Sequence, residues 1–283
     1  MVADEVVVCF EAPLIAVDVG NSRIKLGLFR QTVAAGLPEP ATTLHLTGRL
    51  PEFEQLDAWL AKSSPPSAES RGEGADHFRW HIGSVNRPAA SRLIDWLRDK
   101  RPDDEIMLLT SGDLPLVVKV PRPDMVGVDR LLDALAANRL RSPGRPAVVV
   151  DAGSAITVDL VDADGAFLGG AILPGIAMSA RALHEFTDLL PRIDMAELAE
   201  PPPALGTATV AAMRSGLFWG AVGAVRQLVE QFTGGHHVPM VGEAEVFLTG
   251  GAGPVVAQLM GTAAQYVPHL TLAGIALADS RVK

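Results

Sequence analysis

A single cysteine, Cys9, stands in 283 residues, which excludes an internal disulfide and argues against a cysteine-based metal centre. Such a chain fits a reducing compartment, and the cytoplasm is the expected location. Long apolar runs are also missing. Hydrophobic residues make up 48% of the total and the mean hydropathy is positive, yet no stretch reaches the roughly 18 residues that a bilayer-spanning helix needs. No membrane partner is expected. Positive charge is scarce too: 24 Lys and Arg face 33 Asp and Glu, a formal net charge of -9. A nucleic-acid backbone selects clustered Lys and Arg, so nonspecific nucleic-acid binding is not expected. Met1 to Phe10 contain Asp4 and Glu5 and no basic cluster, unlike a secretory leader. The expected partner is a small molecule.

Against these absences stands one pattern that occurs twice. Leu14-Ile-Ala-Val-Asp18-Val-Gly20-Asn21-Ser22 leads into Arg23-Ile-Lys25-Leu-Gly-Leu-Phe29, and Ala147-Val-Val-Val-Asp151-Ala-Gly153-Ser154 leads into Ala155-Ile-Thr157-Val-Asp159-Leu-Val161. In each copy an apolar, β-branched run ends in Asp-x-Gly, turns through small polar residues and resumes as an alternating run, the pattern of a strand-turn-strand hairpin. Glycine lets backbone approach an anion closely. Turn N–H groups and the Asn21, Ser22 and Ser154 side chains can donate to phosphate oxygens, and each Asp can hold a charge-offsetting cation. One such tripeptide is common in plain turns; two in the same strand context point to a duplicated nucleotide site.

The length predicts two domains with a core each, here divided as 1–146 and 147–283. Helical spacing of apolar residues predicts helices over Phe53 to Lys62, Ala89 to Lys100 and Gly127 to about Arg141. Others are expected at Met178 to Leu189, Thr207 to Phe232, Pro254 to Gly261 and near Ala273 to Ser280. Strands are expected at Phe78 to Val85, Glu105 to Leu109 and near Leu116 to Val120, and Asp162-Ala-Asp164-Gly165 predicts a hairpin turn. Ser63 to Asp76 reads as a surface loop. The fold class is α/β in both halves. His236-His237 read as a solvated Gly-rich turn, and His81 and His184 as structural histidines.

Gly127-Val128-Asp129-Arg130 opens a predicted helix and admits two readings. An Asp there is favoured by the helix dipole, with Arg130 as a surface partner. Alternatively Asp129 accepts the proton of an attacking hydroxyl while Arg130 holds an anion.

The ordered set Asp18-Val-Gly-Asn-Ser, Gly127-Val-Asp-Arg, Asp151-Ala-Gly-Ser-Ala-Ile-Thr-Val-Asp159, Gly169-Gly-Ala-Ile-Leu-Pro174-Gly175 and Leu248-Thr-Gly-Gly251 resembles the type III pantothenate kinases. These belong to the acetate and sugar kinase, heat-shock and actin ATPase superfamily. The resemblance implies two ribonuclease H-like (actin-like ATPase) domains with mixed sheets flanked by helices. It also implies ATP-dependent phosphorylation of pantothenate to 4'-phosphopantothenate, the first step of coenzyme A synthesis. On that resemblance Asp18, Val19, Gly20, Asn21, Ser22, Arg23, Ile24 and Lys25 form the first phosphate loop, and Ser154 contacts ATP where the family usually has Thr. Gly127, Val128, Asp129, Arg130 and Thr209 contact pantothenate, with Asp129 the catalytic base. Asp151 binds a monovalent cation, K+ or NH4+, alongside Mg2+, and Gly250-Gly251 belong to the adenosine loop. Homodimers are the implied assembly. The chain departs from the family pattern at Val120, where many members carry Tyr, at Arg122 in place of Asn, and at Thr110 to Pro115, which replace a Gly-Pro-Gly loop. Two further readings stand beside this one: a kinase of another small hydroxyl compound, and a non-catalytic nucleotide-binding accessory factor.

Overall fold

The computed structural model of the chain describes residues 7–33, 36–48, 53–63, 77–194, 200–234, 243–260 and 264–278. The expected surface loop, from 64 to 76, and the His236-His237 turn lie outside the described residues. Two compact units share the chain: Met1–Leu116, Pro121–Leu140 and His269–Lys283 form the first, and Val117–Val120 and Arg141–Pro268 the second.

The first unit begins with a three-stranded antiparallel meander, β1 (Val7–Val19), β2 (Arg23–Val33) and β3 (Thr42–Thr47). After α1 (Glu54–Ser63), β4 (Arg79–Ser84) pairs parallel to β1, and after α2 (Arg87–Lys100), β5 (Glu105–Leu108) pairs parallel to β4. The order is β3-β2-β1-β4-β5. Side chains alternate across a sheet, and here the alternation sorts chemistry. Ile15, Val17 and Val19 join Ile24, Leu26 and Leu28 in one core with Leu56, Trp59 and Leu60 of α1 and Leu93 and Leu97 of α2. Leu14, Ala16 and Asp18 therefore face the other side. The fully buried run Leu14–Val17 reads as continuously apolar because both faces are covered.

The second unit repeats this plan. β6 (Ala147–Ala152), β7 (Ala155–Val161) and β8 (Phe167–Pro174) form the meander. Next come α4 (Ile176–Glu185), α5 (Thr209–Thr233), β9 (Glu245–Thr249), α6 (Gly253–Met260) and β10 (Ala264–Tyr266). The order β8-β7-β6-β9-β10 matches the first sheet strand for strand, with the last two again parallel. At the predicted hairpin turn Gly165 adopts φ 89°, and the Asp162 carboxylate accepts from Ala166 N at 2.8 Å. The core places Val148, Val150, Val158 and Leu248 against Phe218, Val222 and Val225 of α5, so Asp151 faces away from that helix.

Two sequence expectations need correction. Leu116 to Val120 form no strand: Val118 makes only an isolated bridge beside Phe167, because Pro115 and Pro121 bracket the segment and lack the N–H that a ladder needs. The final helix, α7 (Leu270–Leu277), starts three residues before the expected Ala273. It lies in the first unit with α3 (Val128–Leu140), so the partition is not a linear cut at 146. A Cβ on Gly274 of α7 would run into the Leu132 carbonyl of α3. The two helices meet backbone to backbone.

Candidate active site

In the first unit the β1–β2 turn spans residues 20–23, since Val19 pairs with Ile24. Its carbonyls are taken up by the scaffold. Val19 O accepts from Val85 N at 3.1 Å, Ser22 O from Gly48 N at 3.1 Å, and Arg23 O from Gly20 N at 3.1 Å. In a trans peptide the C=O and the following N–H point in opposite directions. Anchoring Ser22 O toward Gly48 thus turns the Arg23 N–H away from Gly48, and with three carbonyls engaged by N–H donors the turn leaves Asn21, Ser22 and Arg23 exposed. That is the polarity a phosphate reader needs.

Asp18 closes β1 beside this turn and is 9% exposed. Across the sheet its register partners are Lys25 on β2 and Gly83 on β4, and Lys25 Nζ lies 3.3 Å from Asp18 Oδ2. The row continues to His45 on β3. His45 is held below the ordinary imidazole value of 6.5 by burial and then by the charges of Lys25 and Arg23. His269, just before α7, is lowered in the same way by burial and by Lys25. Both are neutral at neutral pH, so Lys25 is the cation next to Asp18.

α3 brings a second carboxyl to Asp18. Gly83 has no side chain, and a Cβ there would meet Leu132 Cδ1 at 2.7 Å, so the helix settles over the end of β4. Asp129 sits three residues before Leu132, on the same helical face. The Asp129 carboxyl accepts from Arg130 N at 2.8 Å and folds back toward the α-carbon of Gly127, where a Cβ would come within 2.6 Å of it. Burial pushes Asp129 above the usual carboxylate range; the Arg130 N–H works against this, and the charge of Asp18 adds to it. Val128 is buried beneath, while Arg130 is half-exposed. Asp18 and Lys25 therefore share one region of the first unit with Asp129, on the α3 side of its sheet, while Val19 and Ile24 of the same predicted loop point into the opposite core.

The second unit builds its hairpin with the same two ties. Ala152 O accepts from Ala252 N at 3.2 Å and Ser154 O from Gly175 N at 3.1 Å, the counterparts of the Val85 and Gly48 bonds. Its turn runs through residues 153–155, one residue shorter than the first. A Cβ on Gly175 would strike the Gly153 and Ser154 carbonyls, which accounts for the glycine that ends the Gly169-Gly-Ala-Ile-Leu-Pro174-Gly175 motif. Asp151 is flanked in register by Thr157 on β7 and Thr249 on β9. Gly250, at φ 88°, lies directly against the Asp151 carboxylate. Carboxylate and hydroxyl oxygens in one row suit a hard cation. Thr157 was legible as a strand position and Thr249 only as part of the Leu248-Thr-Gly-Gly251 motif; the register sets both beside Asp151.

Thr209 is exposed at the first residue of α5, whose core residues pack on the sheet face opposite Asp151. It is not part of the Asp151 row. Arg122 forks Asp124 through Nε–Oδ1 at 2.9 Å and an Nη2–Oδ2 contact of 2.7 Å, both residues exposed. Among the described residues no group of three or more His, Cys, Asp or Glu could hold a metal ion, and no helix is long and apolar enough to cross a membrane.

Comparison with known proteins agrees with this geometry. The family model for type III pantothenate kinase matches residues 14–231. The chain is 42% identical over 278 residues to the type III pantothenate kinase of Rubrobacter xylanophilus and 40% identical over 263 residues to that of Paramagnetospirillum magneticum. In both cases the match covers 93% of this chain and 95% of the relative. Among solved structures, a putative 2-dehydro-3-deoxygalactonokinase from Sinorhizobium meliloti aligns with a TM-score of 0.52 at 17% identity, covering 95% of this chain and 99% of that one. The paired five-stranded mixed sheets with flanking helices are the actin-like ATPase fold. With matching hairpins in both units and relatives aligned nearly end to end, the chain belongs to the type III pantothenate kinase family.

Proposed function

We propose that this protein transfers the γ-phosphoryl group of ATP to the primary hydroxyl of pantothenate, giving 4'-phosphopantothenate and ADP in the first step of coenzyme A synthesis. The observation that carries the mechanism is the half-buried Asp129 carboxyl beside Asp18, at the mouth of the first hairpin. Asp129 takes the hydroxyl proton as the oxygen attacks the γ-phosphorus. The bond from γ-phosphorus to the β–γ bridging oxygen breaks, ADP leaves, and the proton stays on Asp129. A carboxyl raised by burial is a stronger base than an exposed aspartate. Arg130 steadies anionic charge on the substrate or the moving phosphoryl group.

Each compact unit serves as one lobe. The first holds the phosphate loop Asp18–Lys25 and the Gly127–Arg130 helix start. The second holds the loop at Asp151–Ser154 and the adenosine loop at Gly250–Gly251, with Thr209 as a pantothenate contact. Mg2+ neutralises phosphate charge in such transfers and is commonly held by one or two carboxylates plus the phosphates themselves; Asp18 suits that arrangement. Asp151 with Thr157 and Thr249 suits K+ or NH4+. Phe186, Leu189 and Leu205 in the second unit are 84%, 86% and 81% exposed, and a second copy of the chain would cover them as a homodimer. Light scattering tests this: the dimer mass should fall to the monomer in F186E/L189E. The site of action is the cytoplasm.

A coupled ADP-release assay with pantothenate, run with and without potassium, tests substrate and cation together. Potassium-dependent turnover is expected; no turnover on pantothenate at saturating ATP, Mg2+ and K+ overturns the assignment. One observation favours a second reading. Val120, where many family members carry Tyr, offers no hydroxyl and packs near Gly169. Turnover of another small alcohol, with none of pantothenate, would decide for that acceptor.

A further inference from the structure

The geometry points to Asn86 as a positioning residue for the first phosphate loop, a role that rests on the reading of Asp18–Lys25 as that loop. Asn86 lies in the link between β4 and α2, 66 residues from the turn it touches. Its Nδ2 donates to the Gly20 carbonyl at 3.3 Å, while its Oδ1 accepts from Ala89 N at 3.3 Å and caps α2. Asn86 N in turn donates to Ser84 Oγ at 3.1 Å. The amide has one workable orientation. One neighbour is a carbonyl and the other an N–H, so a flipped amide would set oxygen against oxygen and N–H against N–H.

Val85, Gly48 and Gly20 N–H groups take the carbonyls of Val19, Ser22 and Arg23, whereas the Gly20 carbonyl is held by a side chain, that of Asn86. Glycine peptides turn over readily. If this one did, its carbonyl oxygen would face the incoming phosphate and the Asn21 N–H would face away. Asn86 locks the peptide with the oxygen inward, and planarity then sets the Asn21 N–H outward. The second hairpin has no counterpart to this side chain: the residue after its tying Ala252 is Gly253. Its turn is also one residue shorter and has less backbone to restrain. The longer loop is the one that carries the clamp.

Two substitutions separate this role from the helix cap. Asp, Ser and Asn are comparable N-caps, so N86D and N86S both keep α2 capped. N86D places an acceptor against the Gly20 carbonyl; N86S is too short to reach it and adds no charge. The measurements are Mg-ATP Kd by calorimetry, the KM for ATP and for pantothenate, and Tm. Expected are a Kd and a KM for ATP raised roughly tenfold in N86D and several-fold in N86S, equivalent to losing one hydrogen bond. KM for pantothenate and Tm should stay near the parent values. Parent-like ATP binding in both variants overturns the positioning role and leaves the phosphate-loop reading intact. A fall in Tm with both KM values rising together also overturns it, since that marks general damage. A parent chain that binds no ATP removes both readings.

Discussion

Asp129 is under two opposed demands. As a base it must be ionised, yet burial and the nearby Asp18 charge favour its neutral form. The folded protein therefore binds this proton more tightly than the unfolded chain does. The associated stability is fully present below the ordinary aspartate range and is lost as pH rises through the raised value. Asp129→Asn should thus bind ATP and melt above the parent at neutral pH, while losing on the order of 100-fold or more in turnover. The gain in Tm should shrink as the solution is acidified and the parent's carboxyl takes up its proton. Thermal melts at several pH values, paired with turnover, check both halves; near-normal turnover rejects Asp129 as the base. Asp104 shows a carboxylate with the opposite, purely structural assignment. Its side chain is 1% exposed and accepts from Phe78 N, Trp80 Nε1 and Arg101 Nε at 3.0, 2.8 and 2.9 Å. Asp104→Ala leaves these donors stranded and should lower stability by roughly 3 kcal/mol in urea denaturation, with the KM for ATP unchanged.

At the scale of elements, the two hairpins were legible because their signals are local: β-branched runs, Asp-x-Gly, and a period that restarts after the turn. The residues that hold those turns were not legible, because they come from far along the chain. Asn86 falls in sequence between the predicted strand ending at Val85 and the predicted helix starting at Ala89, and nothing local announces its cap on α2 or its bond to Gly20. Gly48 follows β3 in sequence as Gly175 follows β8, yet their equivalence appears only when both are seen donating to the turn serines. The tightness of these joints makes a prediction. Gly175→Ala would drive a methyl group into the Gly153 and Ser154 carbonyls and displace the second hairpin. Stability should drop by about 1–3 kcal/mol, and ATP affinity should fall with it, both measurable on one purified sample by calorimetry and nucleotide titration.

For the whole molecule, the periodic helices α2 and α5 fell near their predicted bounds because each has one apolar face and one polar face. α7 gives no such contrast: Leu270 through Ala276 are all buried, so no face stands out and its start was set too late. Its place in the first unit depends on contacts with α3, β1 and β2, which a reading along the chain cannot see. Leu272 fills the space over Gly27, and Ile275 lies over Gly83. A chain stopped after Pro268 should therefore fail to bury the α3 face of the first sheet. It should bind a dye for exposed apolar surface and lose the cooperative unfolding seen by tryptophan emission; cooperative, parent-like unfolding would refute this.

The membership of α7 in the first unit also sets a timetable for synthesis. A ribosome delivers residues in order, and amino-terminal lobes usually mature while later ones are still being made. Here the opening lobe waits until Leu270–Leu277 has been translated. Until then its unfinished sheet face is a natural client for chaperones. Nonsense mutations ahead of Leu270 should harm the first unit as much as the second.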